Sequence, residues 1–355
     1  MCTKLRKSFI TVMLAFMMST LIACSGSDAS DTPAETVTGY TGPIIDMHLH
    51  ANTEPFPAML CVPWSQQFPL WDHKGEVGDM VMGAMMNPPC EDPIPPVSPE
   101  NDALLNATVD AMDKRKIVGV LTGSPTETRR WRDAAPGKFF PAISFNLARP
   151  HPTVDEMRTL FESGEFAVLG EISHQYTGIA ANDPRMDPYW ALAEEFGIPV
   201  AVHMEQGVTG VSFVPGFENY RSDLGNPYLL EDILEKYPRL KVSVMHYAAP
   251  LTEEMIAIMF AYPQVYIDIG GMQWFYPRPY FYRQLENFMM AGLGKRVMFG
   301  SDQGDWPGVI EPSIDIIDEA PFLTPEQKAD IFYNNAARFL ELSQETIAAH
   351  KKAAE

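Results

Sequence analysis

Cysteine is scarce, with four in 355 residues. Cys2 and Cys24 fall at the very start, so only Cys61 and Cys90 remain for the body of the chain. That is too few for a disulfide framework. In an oxidising compartment the pair predicts one bridge; two separate free thiols are the alternative. Such a bridge closes a loop of about 30 residues and contributes roughly 3–4 kcal/mol on the loop-entropy account. Basic residues are also scarce: 26 Lys and Arg stand against 46 Asp and Glu, a formal charge of −20. A surface this acidic repels phosphate backbones and argues against a nucleic-acid partner. Long apolar runs are missing too. The run Phe9–Ile22, about 14 residues, is short for a membrane-spanning helix. There is no internal repeat.

That short run reads as a targeting segment. Lys4, Arg6 and Lys7 precede it, and Leu21-Ile22-Ala23-Cys24 closes it. The closing string resembles a bacterial lipobox, which implies a signal peptide over 1–23 and a lipid-bearing Cys24. The alternative is an ordinary signal peptide with a chance cysteine. Residues 24–41 are rich in Ser, Asp, Thr and Gly and read as a flexible tether. The acyl chains would hold the protein on a membrane. Ser25, by resemblance to Gram-negative lipoproteins, favours the outer membrane, facing the periplasm.

From Gly42 onward, short β-rich runs alternate with amphipathic helical stretches. Strands are expected at Ile44–His50, Val118–Gly123, Phe139–Asn146, Phe166–Ile172, Val200–Met204, Lys241–His246, Val265–Gly270 and Arg296–Gly300. Helices are expected at Asp102–Lys116, Val154–Ser163, Tyr189–Phe196, Tyr228–Lys236, Glu253–Ala261, Phe281–Ala291 and Pro325–Leu340. Eight β/α units over 42–342 predict an α/β protein, a (β/α)8 TIM barrel. A proline-rich insertion, 52–99, follows the first strand. It carries Trp64, Phe68, Trp71 and both spare cysteines, has no sustained period, and reads as a lid on the active-site face. Residues 343–355 read as a C-terminal tail.

Polar residues collect at the strand ends. Strand one ends His48-Leu49-His50, and period-two geometry points both imidazoles the same way. Strand four ends in Glu171, strand five in His203 and strand six in His246, and Asp302 follows strand eight. Each comes after an apolar run. Imidazoles and carboxylates converging on one barrel face predict a divalent-metal site, and zinc suits the mix.

With these residues the chain resembles the amidohydrolase superfamily, in the branch that includes aminocarboxymuconate-semialdehyde decarboxylase and pyrone-dicarboxylate lactonase. The resemblance rests on IIDMHLH, His203, His246, the FGSD that ends in Asp302, and IFYNNAARFL at Ile331–Leu340. It covers about residues 43–342. It implies that His48, His50, His203 and Asp302 bind one catalytic metal and that His246 contacts substrate or water. Glu171 departs from that pattern. It sits where two-metal members place a bridging carboxylate, and if it bridges, His246 joins a second ion. Otherwise Glu171 stands behind the ligands or pairs with a charge.

Three neutral histidines leave most of a dication's charge uncompensated, so a bound water is acidified toward a pKa of about 7. Asp302 is the expected general base and His246 the group that steadies the oxyanion. Hydrolysis of an ester, lactone or amide of a small molecule is the leading expectation. Non-oxidative decarboxylation is the alternative, and a non-catalytic binding protein is a third. Candidate substrate contacts are Arg149, beside His151, as a clamp for a carboxylate; His174 at the mouth; and Trp274 as an aromatic wall or a surface packed on the lid. Asp268 would orient a ligating histidine, and Asp46 would support His48 from deeper on the same face. His73 and His350 carry no expected role. The oligomeric state stays open, a homodimer among the alternatives.

Overall fold

The computed structural model describes residues 39–354. The expected signal peptide, the lipidation site Cys24 and nearly all of the tether lie outside these residues. The last expected tether residues are docked. The Tyr40 backbone N–H donates to the Asp318 carboxylate at 2.9 Å, and the Tyr40 ring stacks on Phe332.

Eight strands form: β1 (Ile44–His50), β2 (Ile117–Gly123), β3 (Phe139–Ile143), β4 (Val168–Ile172), β5 (Val200–His203), β6 (Val242–Met245), β7 (Val265–Asp268) and β8 (Val297–Met298). They are short and almost wholly buried, as strands covered on both faces must be. Each pairs in parallel with the next, in sequence order. β8 returns to β1 through two backbone bonds, Met47 N–H to Phe299 O and Asp302 N–H to His48 O, each 2.9 Å. The expected (β/α)8 TIM barrel is the fold.

Helices fill the crossovers. Val154–Glu162 shows why they form where they do. Thr153 and Glu156 build a capping box at its start, and Met157 and Phe161, four apart, face the core. The expected terminal helix is interrupted. Pro325–Ala329 and Asn335–Phe339 flank a π-helical turn at Asp330–Asn334. There the Ile331 carbonyl accepts from Phe299 N–H at 2.9 Å, which ties the turn to the end of β8. Asn335 donates to the carbonyls of Gly294 and Val297 at 2.8 and 2.7 Å.

Seven strands send apolar side chains into one inner cluster: Ile45, Met47, Val120, Ala142, Val168, Ala201, Met245 and Met298. Tyr333 and Phe339 close it at the N-terminal end of the strands. The tail is not loose, because Gln344–Ala354 is helical and His350 bonds Tyr333 OH at 3.0 Å beneath that floor. An apolar interior sealed below leaves the polar residues at the opposite, C-terminal rim.

β1 departs from simple alternation. Its register against β2 shifts between Asp46 and Leu49. Ile45 and Met47 point inward, so Asp46 does not share the face of His48 as expected. Instead its Oδ1 accepts from the N–H groups of His48 and Ser301, both at 2.9 Å. It supports the site through the backbone.

The insertion 52–99, expected to serve as a lid, packs against the rim. Cys61 and Cys90 form a disulfide. An unexpected helix, Val77–Met86, lies within it and buries Val81, Ala84 and Met85. The helical spacing is present in the sequence, but Gly78 and Gly83 dilute it. Trp64 packs on Trp274, Phe275 and Trp306 at centroid distances of 5.8, 5.9 and 6.0 Å. Asp305 accepts from Asn52 and from Phe56 N–H, and Trp306 donates to the Ala58 carbonyl. The lid therefore rests on loops that follow β7 and β8. Because the bridge closes a loop within the insertion alone, its stabilisation is expected to act there: Cys61→Ser/Cys90→Ser should raise KM severalfold and shift the barrel's main unfolding transition only slightly. Steady-state kinetics and calorimetry check this. A lower Tm with unchanged KM would show that the bridge serves the fold alone.

Candidate metal centre

Six side chains from five strand ends meet at the rim. Glu171 lies at their centre. Its Oε1 is 2.6 Å from His203 Nδ1 and 3.8 Å from His246 Nε2. Its Oε2 is 3.6 Å from both His48 Nε2 and His50 Nε2. Asp302 Oδ1 completes that second group, 3.4 Å from His48 Nε2 and 3.0 Å from His50 Nε2. His203 Nδ1 and His246 Nε2 are 3.0 Å apart.

Most of these separations are long for hydrogen bonds and suit atoms that share a third neighbour. Two ligands on a tetrahedral ion, each bonded at about 2.0–2.1 Å, stand about 3.3 Å apart. His48 Nε2 is buried with no hydrogen-bond partner of its own, an arrangement that costs free energy unless something binds there. Three sets of potential ligands fall within 4.8 Å of one another: His48 with His50 and Glu171, Glu171 with His203 and His246, and His48 with His246 and Asp302. The donor set fits a divalent cation. The resemblance would place His203 beside His48 and His50 on one ion. Here His203 sits with His246 on the far oxygen of Glu171.

The backs of the rings are held. Asp268, buried on β7, lies 3.4 Å from His48 Nδ1 and accepts from the N–H groups of His246 and Gly270. His246 Nδ1 bonds the Gly270 carbonyl at 2.8 Å. Gln303 donates to the His50 carbonyl and accepts from His50 N–H, both at 2.8 Å. Glycine is required at two places beside His48. A Cβ on Gly270 would fall 2.4 Å from His48 Nδ1, and one on Gly300 would fall 2.7 Å from His48 Cβ.

The backbone is strained where the chemistry is expected. His246, Tyr247, Ala248 and Asp302 adopt φ of 57°, 44°, 54° and 54°. Each costs on the order of 1 kcal/mol or more for a residue with a side chain, and such strain persists only where neighbours enforce it. Tyr247 OH bonding Gln284 at 2.7 Å is one such restraint.

Electrostatics follow the geometry. Burial works to lower the affinity of His48 for a proton, but the charges of Asp302 and Asp268 overcome it and raise the ring well above the ordinary imidazole value. For His246 burial is again outweighed, here led by the nearby Glu171 carboxylate, and the value rises to about 9. Burial works to raise Glu171, yet the His203 ring bonded to it, with His246 and His48 close by, holds it well below the usual carboxylate range. Asp302 is likewise held low, its burial outweighed first by His48. Carboxylates this strongly charged, facing rings this eager for positive charge, make a cation's environment.

The remaining candidates fall elsewhere. His174 is neither at the mouth nor solvated. It is buried between Met186 and Phe145, and burial pushes its pKa down to about 4. Arg149 is exposed on the loop after β3; nearby His151 lines a surface hollow with Pro150 and Glu156. Trp274 is buried, donates to the Ser301 carbonyl at 2.8 Å and backs the lid. Glu205 and Tyr176 were not expected. Tyr176 packs on His203 with centroids 4.5 Å apart. Glu205 lies two residues beyond His203, so the spacing that pairs His48 with His50 could have marked it.

Fold and site together define a (β/α)8 barrel with candidate metal ligands gathered at the strands' C-terminal rim. A family model described as Amidohydrolase matches residues 45–342, and the chain belongs to this enzyme family, within the amidohydrolase superfamily. No curated protein matches the sequence. Similar solved structures share the barrel. An uncharacterised TIM-barrel protein from Bordetella bronchiseptica is 20% identical over 86% of this chain and 99% of its own, with a TM-score of 0.56. A probable 2-pyrone-4,6-dicarboxylic acid hydrolase from Acinetobacter baumannii is 13% identical over 84% and 99%, at 0.54. A dihydroxybenzoic acid decarboxylase from Polaromonas, with bound manganese and an inhibitor, is 12% identical over 86% and 98%, at 0.52.

Proposed function

We propose that the protein is a metal-dependent hydrolase acting on an ester, lactone or amide carbonyl of a small molecule. One observation carries this reading: Glu171 offers one oxygen to His48 and His50 and the other to His203 and His246. A carboxylate so placed suits a pair of ions, and two-ion sites serve hydrolytic displacement. Zinc suits the imidazole and carboxylate donors. A bound ion supplies a Lewis acid and a water of lowered pKa. Asp302, whose carboxylate stays ionised, takes the proton of the attacking water and returns it to the leaving group. His246 donates toward the developing oxyanion unless it is held as a ligand. The lid and Trp274 keep bulk water from the rim.

The charge of the rim also favours a neutral carbonyl. Among the described residues, no Lys or Arg lies within salt-bridge distance of Glu171, Glu205, Asp268 or Asp302; their partners at that range are histidines. A substrate carrying carboxylates would meet these acidic side chains with no Lys or Arg paired to them. Decarboxylation remains the second reading, because a manganese-bound decarboxylase shares the barrel. Metal analysis of the purified mature domain, followed by turnover assays on esters, lactones, amides and hydroxybenzoates, separates the two. Two ions with hydrolysis support the proposal. One ion with release of carbon dioxide overturns it.

We further propose, from its N-terminal sequence, that the chain is exported and anchored through Cys24 to a membrane, the outer membrane facing the periplasm. Cys24→Ser is expected to move the protein from the membrane to the soluble fraction on centrifugation. Continued sedimentation with membranes would count against the anchor.

A further inference from the structure

Glu205 is only 5% exposed. Among the described residues no group donates a hydrogen bond to its carboxylate, and the one partner in salt-bridge range is His203 Nε2, 3.7 Å from Oε1. His203 Nε2 is itself buried without a hydrogen-bond partner. An orphaned ring nitrogen therefore faces a carboxylate that has no protein hydrogen-bond donor. The backbone that carries Glu205 is fixed. Its N–H donates to Gln175 Oε1 at 3.2 Å, and its carbonyl accepts from Gln175 Nε2 at 2.6 Å and Tyr220 OH at 2.9 Å. Gly225 permits this approach, since a Cβ there would fall 2.5 Å from that carbonyl.

The other two fully buried rings of the centre show what such a group does. His48 turns Nδ1 to Asp268 and Nε2 to the centre. His246 turns Nδ1 to the Gly270 carbonyl and Nε2 to the centre. His203 is reversed: its Nδ1 faces the centre, against Glu171, and its Nε2 faces outward. An imidazole ligates through its unprotonated nitrogen, and the acceptor behind the other nitrogen sets which one that is.

We propose that Glu205 is the positioning residue of His203: with a cation bound, its carboxylate, 3.7 Å from Nε2 here, closes to accept the Nε2–H and so presents the Nδ1 lone pair to the cation. This rests on the metal-centre reading above. Glu205 touches neither ion nor substrate in this role. A buried carboxylate kept for the fold alone is the competing account.

The test is zinc binding by the purified domain, measured by competition with a chromophoric chelator. Glu205→Ala is expected to weaken the zinc held by His203 about 10- to 100-fold, the usual cost of losing such a partner. Glu205→Gln keeps an acceptor oxygen without the charge and is expected to recover part of that loss. It also guards against a misfolded alanine variant. In the zinc-loaded wild type, nitrogen NMR should place the His203 proton on Nε2, and in Glu205→Ala that resonance should broaden or shift. Unchanged zinc dissociation constants in both variants would overturn the proposal, as would a lower Tm of the zinc-free variants with affinity preserved. Wild-type protein that takes up no zinc would overturn the metal-centre reading and the proposal with it, which keeps the two failures distinct.

Discussion

Asp302→Asn is expected to lower kcat by about 10²–10⁴-fold, the range for loss of a general base, while much of the bound metal remains. The argument is geometric. Asp302 is the most open of the six side chains, 23% exposed where His48, Glu171, His203 and His246 are nearly closed. Its Oδ1 points to His48 and His50, as a ligand atom would. Oδ2 makes no such contact, and the bare Cα of Gly271 keeps space for it: a Cβ there would come within 2.7 Å. One carboxylate thus has an oxygen for the ion and an oxygen for a proton. Asparagine keeps an oxygen for the ion and replaces the basic one with an N–H donor. The backbone at φ 54°, bonded to the His48 carbonyl, asks the same of both residues. Metal content and kcat measured on the same sample check this. A variant with full metal and near wild-type kcat would remove Asp302 from proton transfer.

The barrel and most of the site were legible in the sequence for one reason: parallel strands are apolar runs, and a polar residue at the end of such a run is conspicuous. His48, His50, Glu171, His203 and His246 announce themselves this way, and Asp302 does so through the FGSD that follows β8. The rule holds only as long as the strand does. His174 is counted from the end of β4, but the chain turns there into a short helix, His174–Thr177, and the ring goes into the wall. Asp46 fails for a related reason, because the register shift in β1 breaks the alternation that would have put it beside His48. Arg149 has the right chemistry for a carboxylate clamp but lies in the loop after β3, with no strand to aim it. Glu205 obeys the rule and was passed over, since Met204 and Gln206 around it do not look like a strand. What no pattern along the chain could show is how the four imidazoles divide between the two oxygens of Glu171. That depends on the spacing of β4 from β1 on one side and from β5 and β6 on the other, a property of the closed barrel.

That division makes His203→Ala the sharpest test of how many ions the site holds. With the groups arranged around Glu171 as they are, the variant is expected to lose the ion shared with His246 and keep the one held by His48, His50 and Asp302. Metal content should fall from two per chain to one. The single-ion arrangement implied by family resemblance has His203 on the same ion as His48 and His50, and the variant would then lose metal altogether. Partners behind a ligand change affinity by about 10- to 100-fold, so loss of a direct ligand must cost more, enough to read by dialysis and elemental analysis. Glu171→Ala supplies the matching arm. It removes the carboxylate that all four rings approach and leaves buried imidazoles facing one another, and it should empty the His203 side and weaken the other. If His203→Ala retains both ions, the histidine is not a ligand. If it loses everything while Glu171→Ala keeps one ion, the carboxylate does not bridge, and the case for hydrolysis over decarboxylation loses its main support.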